Sequence, residues 1–82
     1  MKGGNKMNAL RRKALGVIQY KLEELKVEAE VIKEEEEAYF ENMPEGIADS
    51  EKGQKAEEAI DNIEQSIENM DTAINDIEVA LQ

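Results

Sequence analysis

Apolar residues recur at alternating intervals of three and four along two long segments of the chain. In the second half the series is Ala56, Ile60, Ile63, Ile67, Met70, Ile74, Ile77 and Leu81. In the first half it is Leu15, Ile18, Leu22, Leu25, Ala29, Ile32, Glu36 and Tyr39. This spacing places each series on one side of a helix, as in the seam of a coiled coil. The pattern predicts two long amphipathic helices.

Residues 39–50 separate the two series and contain the only proline, Pro44. Proline cannot donate a backbone hydrogen bond and disfavours helical geometry at the preceding residue, Met43, so the first helix should end by about Asn42. Asn42 tolerates the left-handed backbone conformation that commonly follows a helix, and Gly46 is a second permissive position.

The sequence therefore predicts one domain over residues 7–82, preceded by a flexible lead over 1–6. Its expected elements are a helix over about 7–42, a loop over about 43–49 and a helix over about 50–81. A connection this short makes the two helices antiparallel. The candidate N-caps are Asn8 for the first helix and Asp49 or Ser50 for the second.

The lead leaves two start positions open. Its Lys-Gly-Gly sequence can be encoded by a purine run that resembles a bacterial ribosome-binding sequence, with Asn-Lys as the spacer before Met7. This makes Met7 an alternative start in a bacterial or phage gene. With other codons, Met1 is the start.

The first helix has more apolar surface than one seam requires. Leu10, Val17, Val31 and Ala38 form a second stripe, and Gly16 is expected to allow close approach of a partner backbone. A helix with two apolar stripes needs two neighbours. We therefore predict an all-α fold in which an antiparallel two-helix hairpin forms a homodimeric four-helix bundle, with a tetramer as the alternative. The candidate self-association residues are Leu10, Ala14, Val17, Leu22, Leu25, Val31 and Ile32.

Charge divides the chain unevenly. The net charge is −10, yet residues 1–13 carry five bases and no acid. Residues 14–82 carry the other five bases and all twenty acids. Phosphates would be repelled by most of this surface, so nucleic acid is an unfavourable partner. The basic residues Arg11, Arg12 and Lys13 are expected to lie near Asp71, Asp76 and Glu78 and near the negative dipole end of the second helix. Their alternative role is contact with nucleic acid or an anionic membrane.

Two further groups are candidate sites. The apolar residues around the proline could bind another protein, or could simply close the end of the hairpin; they are Tyr39, Phe40, Met43, Pro44 and Ile47. The acidic run Glu34–Glu37 is interpreted as a solvated face, because successive helical side chains point in different directions and cannot converge on one cation.

The chain has no Cys and no His, so it lacks the commonest nucleophile, general base and zinc ligands. We predict no catalytic residues, metal or cofactor. No apolar run approaches the ~20 residues of a membrane span, and a cytoplasmic protein is expected.

These observations favour a non-enzymatic interaction or structural module that acts through self-association and possible contact with another protein. The first alternative is an acidic inhibitor that mimics nucleic acid and occupies a host protein's binding cleft. The second is weak contact with nucleic acid or membrane through the basic N-terminal arm.

The segment Glu34–Ser50 also carries a resemblance. With Tyr39, Asn42, Pro44 and Gly46, and with the Ala/Glu/Ile-rich helix that follows, it resembles short uncharacterised acidic proteins of low-GC Gram-positive bacteria and their prophages or mobile elements. The resemblance covers about half of the chain. It implies a small helical accessory protein and assigns no catalytic residue.

Overall fold

The computed structural model describes residues 7–82, so the predicted lead over 1–6 lies outside the described part of the chain. The helices are α1 (Ala9–Glu41), α2 (Glu45–Ala48) and α3 (Glu51–Leu81). Helices α1 and α3 pack side by side in opposite directions and form a rod of 64 × 18 × 13 Å. The predicted all-α helical hairpin is confirmed at this level.

Helix α1 is capped at both ends by asparagine. The Asn8 side-chain oxygen accepts a hydrogen bond of 2.8 Å from the backbone N–H of Arg11, which confirms Asn8 as the N-cap. At the other end Asn42 donates its side-chain amide to the carbonyl of Ala38 at 2.9 Å. Asn42 has φ −89°, and no residue of the described range has a positive φ. The chain therefore does not use the left-handed conformation that Asn42 and Gly46 would tolerate.

The connection contains the short helix α2 instead of an open loop. Pro44 is its N-cap residue, and the Pro44 carbonyl accepts hydrogen bonds of 2.9 Å from the backbone N–H groups of Ile47 and Ala48. Ser50 is the N-cap residue of α3, but its hydroxyl donates to the carbonyl of Ile47 and caps no N–H of α3. One helical turn thus reverses the chain without left-handed residues.

Gly53 fixes how closely α2 approaches α3. It is buried, and a Cβ built on it would lie 2.7 Å from the Cα of Ala48 and nearer still to the Ala48 carbonyl. A Cβ at this position would force α2 to shift, so glycine is what allows the two backbones to approach this closely. At Gly16, by contrast, a Cβ would meet nothing within 4 Å. Gly16 therefore marks no close contact within the chain.

The seam of α3 lies where the apolar spacing places it. All eight residues of the predicted series are buried or half-buried, and Ala56 and Ile67 are the most enclosed, at 6% and 7% exposed. The small residues Ala59 and Ala73 lie beside the seam and are half-buried as well. This helix contributes the densest part of the core.

The seam of α1 is rotated from the predicted one. Leu15, Leu22, Ala29 and Glu36 are half-buried as expected, but Ile18, Leu25, Ile32 and Tyr39 are about half exposed, at 49%, 52%, 53% and 47%. Their places toward α3 are taken by Gln19, Lys26, Lys33 and Phe40, each one position further along. No described residue of α1 is fully buried. Half of the predicted α1 series, namely Ile18, Leu25, Ile32 and Tyr39, therefore lies outside the contact with α3.

Candidate interaction surfaces

A column of polar side chains explains the rotation of α1. Gln19 donates to the Glu78 carboxylate at 2.9 Å, Lys26 pairs with Asp71 at 2.8 Å, and Lys33 pairs with Glu64. We call these three pairs the polar ladder. The ladder residues are spaced by seven on both α1 and α3, and their numbers rise along α1 as they fall along α3. This is the geometry of facing columns in an antiparallel helix pair. The aliphatic stems of the lysines cover the seam while their ammonium groups reach its polar edge.

The pKa values of the two lysines of the ladder are raised above that of free lysine. The hydrogen bond to Asp71 raises the pKa of Lys26, and the charges of Asp71 and Glu30 act in the same direction. The hydrogen bond to Glu64 raises the pKa of Lys33, and the charge of Glu37, whose carboxylate lies 3.8 Å away, adds to it. Partial desolvation opposes both shifts. Lys26 and Lys33 therefore remain protonated through neutral pH.

Because the ladder occupies one side of α1, a second side is left with large apolar residues. We call this surface the α1 apolar stripe. It consists of the exposed residues Leu10, Ala14, Val17, Ile18, Leu25, Val31, Ile32, Ala38 and Tyr39. Six of the seven predicted self-association residues lie on it; the seventh, Leu22, is half-buried in the seam against α3. Exposed apolar residues grouped along one side of a helix mark a candidate interaction surface.

The predicted tip residues form a cleft at the closed end of the hairpin. Its volume is about 310 Å³, and its lining is Tyr39, Asn42, Met43, Pro44, Ile47 and Lys52. The Lys52 ammonium lies 5.9 Å from the centre of the Tyr39 ring, within the range of a cation–π contact. Phe40 does not line the cleft and is half-buried. Four of the five predicted tip residues are thus brought together, with Lys52 as an addition.

The basic residues at the open end separate. Arg12 is half-buried and donates to the carbonyl of Leu81, at the negative end of the α3 dipole. Arg11 and Lys13 are exposed. Within residues 7–82, none of these three bases forms an ion pair with Asp71, Asp76 or Glu78, so that expected pairing is wrong. Asp71 and Glu78 instead belong to the polar ladder.

The open end also carries a second cleft, of about 470 Å³. It is lined by Met7, Val79, Ala80 and Gln82. Val79 lies outside the seam of α3 and is 66% exposed.

The acidic surface of the described chain has no metal-binding geometry. No group of three or more carboxylates in residues 7–82 converges on a common point. Nor does any described helix have a stretch both long and apolar enough to cross a membrane.

Sequence reasoning missed the polar ladder and the role of Gly53. A signal for the ladder was present: Gln19, Lys26 and Lys33 are seven residues apart, as are Glu64, Asp71 and Glu78. Nothing in the sequence marked Gly53, because its requirement arises from contact with the backbone of Ala48.

Comparison of the chain with protein-family models, with curated proteins and with solved structures finds no match. Function must therefore be argued from the surfaces of the molecule.

Proposed function

We propose that this protein is a non-enzymatic self-association module, in which two hairpins join through their α1 apolar stripes to form a four-helix bundle. The observation that carries the proposal is the exposure of the stripe. Its large aliphatic residues are about half exposed or more, from 46% at Val17 to 81% at Leu10. Their removal from water on association is favourable.

The size of the stripe suits a dimer. Helix α1 has 33 residues and is therefore about 50 Å long. A specific interface buries about 800 Å² on each partner, roughly an eighth of the 6175 Å² surface. A helix face of this length, joined by neighbouring residues of α3, is of that order. The hairpin also has few enclosed side chains of its own, which leaves it dependent on a second source of buried apolar area.

Sedimentation velocity of matched variants tests the proposal. Ile32 lies on the stripe and is 53% exposed; Val27 lies beside the stripe, about 140° around α1 from Ile32 at 3.6 residues per turn, and is 57% exposed. We expect wild type and Val27→Glu to sediment as dimers of the 9.2 kDa chain, and Ile32→Glu as a monomer. Circular dichroism of all three should report helix. A wild-type chain that is monomeric at about 100 µM, or an Ile32→Glu variant as dimeric as Val27→Glu, would refute the proposal.

The acidic face of α3 favours a second candidate, inhibition of a nucleic-acid-binding protein by charge mimicry. The carboxylates of Glu57, Glu58, Asp61, Glu68 and Asp76 are all exposed and belong to none of the ion pairs of the described residues. A complex held by these charges should weaken steeply as salt rises, because screening shortens the reach of exposed charges. Contact through an apolar surface should persist. A pull-down from bacterial lysate at low and high salt separates the two candidates.

A further inference from the structure

The α1 apolar stripe also includes charged positions, and their charge changes from positive to negative along the helix. Between its two apolar columns lies a third column at seven-residue spacing, formed by Ala14, Lys21, Glu28 and Glu35. All four residues are exposed. Within residues 7–82, neither Lys21 nor Glu28 forms an ion pair. Arg11 lies beside the N-terminal end of the stripe and Glu35 lies near its other end, so positive charge precedes negative charge along the face.

We infer that the second copy of the chain docks antiparallel, with α1 against α1 and the two-fold axis crossing between Glu24 and Leu25. This inference rests on the proposed self-association and specifies its geometry. In this arrangement, facing residues have numbers that add up to 49. The two α1 helices then lie side by side along their whole described length.

Apolar residues meet apolar residues in this register. Val17 faces Ile32 of the second copy, Ile18 faces its Val31, and Leu10 faces its Tyr39; symmetry repeats each contact. The column that contains Val17 and Val31 in one helix thus packs against the column that contains Ile18 and Ile32 in the other helix, as in the layers of antiparallel coiled coils. Leu25 is the exception: it faces Glu24 of the second copy, next to the axis, so the two Leu25 side chains are near neighbours.

Charge selects this orientation over the parallel one. Lys21 faces Glu28 of the second copy, and Glu28 faces its Lys21, so the centre of the interface gains two ion pairs. Arg11 comes within one helical turn of the second copy's Glu35. Parallel docking would instead place Lys21, Glu28 and Glu35 each beside the same residue of the second copy, so that like charges face each other. Of the charged residues on this face, only Glu24, at the axis, lies close to the same residue of the second copy in the antiparallel dimer.

Charge reversal at Lys21 and Glu28 tests the orientation. In the antiparallel dimer, Lys21→Glu or Glu28→Lys alone converts two attractions into two repulsions and should weaken the dimer roughly tenfold. The double variant Lys21→Glu/Glu28→Lys restores both pairs and should recover wild-type affinity. In a parallel dimer each change exchanges one like-charge contact for another, and none of the variants should alter the affinity measured by sedimentation equilibrium.

A distance measurement gives independent proof of direction. The chain has no cysteine, so Glu34→Cys accepts a single spin label outside the proposed interface. Position 34 would face position 15 of the second copy, which separates the labels by about 28 Å along the axis at 1.5 Å per residue. A parallel dimer brings them to within about 20 Å, the distance between labels on adjacent helices. Val27→Cys, near the axis, is the control and should give a short distance in either orientation.

The outcomes separate the two proposals. A dimer with neutral single reversals and a short Glu34→Cys distance overturns the antiparallel geometry and leaves self-association standing. A chain that is monomeric at all concentrations overturns both.

Discussion

Replacement of Gly16 and Gly53, the glycines of the two long helices, by alanine should have opposite effects on stability. In a helix interior, alanine is favoured over glycine by about 1 kcal/mol. At Gly16 a new Cβ meets nothing within 4 Å, so Gly16→Ala should gain roughly that amount. At Gly53 the new Cβ would lie 2.7 Å from the Cα of Ala48, where contact between carbon atoms requires about 3.5 Å. The backbone of α2 would have to move.

The cost of that movement sets the expected difference. Overpacking a close contact typically costs 1–3 kcal/mol, which outweighs the gain in helix propensity. Gly53→Ala should therefore be neutral to about 2 kcal/mol less stable than wild type, and 1–3 kcal/mol less stable than Gly16→Ala. Urea unfolding followed by circular dichroism at 222 nm, at one protomer concentration, measures both variants. Equal stabilisation by the two substitutions would show that α2 does not rest on Gly53.

Three further predictions concern the ladder, the core and the cap. Because the folded-state pKa values of Lys26 and Lys33 are raised, the stabilisation from these two charges should hold from neutral pH up to the ordinary lysine value of 10.5 and decline as pH rises through the raised values. Urea titrations should show a smaller alkaline loss of stability for Lys26→Met/Lys33→Met than for wild type, and equal losses would refute this assignment. Ile67→Ala should cost about 2–5 kcal/mol because Ile67 is 7% exposed, whereas Val79→Ala, at a 66% exposed position, should change urea stability by less than about 0.5 kcal/mol. Asn8→Ala should cost about 1 kcal/mol by removing the bond to the Arg11 N–H, while Asn8→Ser should retain most of it; hydrogen exchange of the first turn of α1 measures the difference.

The second helix could be predicted closely because one physical signal dominates it. Its Ile-rich series from Ile60 to Ile77 has no competing apolar stripe, so hydrophobic burial alone selects the face that packs. The end of α1 was equally predictable, since Pro44 forbids continuation of the helix. The turn was not, because a helical turn and a pair of left-handed residues both reverse the chain, and Gly46 is compatible with either.

The first helix was harder because two of its faces are apolar. Apolar spacing alone favoured Ile18, Leu25 and Ile32 as the face toward α3, but the ion pairs of Lys26 and Lys33 select a face rotated toward them. Single-helix periodicity contains no information about charges on another helix. The seven-residue spacing of the lysines in the first half of the chain, together with that of the carboxylates in the second half, did contain this information.

The rotation of α1 links the fold to the proposed function. By seating lysine and glutamine stems against α3, the ladder fills the seam with side chains that cannot be fully enclosed, and only Ala56 and Ile67 among the described apolar residues become buried. The same rotation moves Ile18, Leu25 and Ile32 outward, where they complete the α1 apolar stripe. The apolar area that these residues do not bury within the hairpin is thus available to a second copy. In the proposed dimer, folding and association would be coupled, because the interface would supply burial that the hairpin alone lacks. The ladder would then fix the pairing within each hairpin, and the opposed charges of Lys21 and Glu28 are proposed to fix the pairing between hairpins.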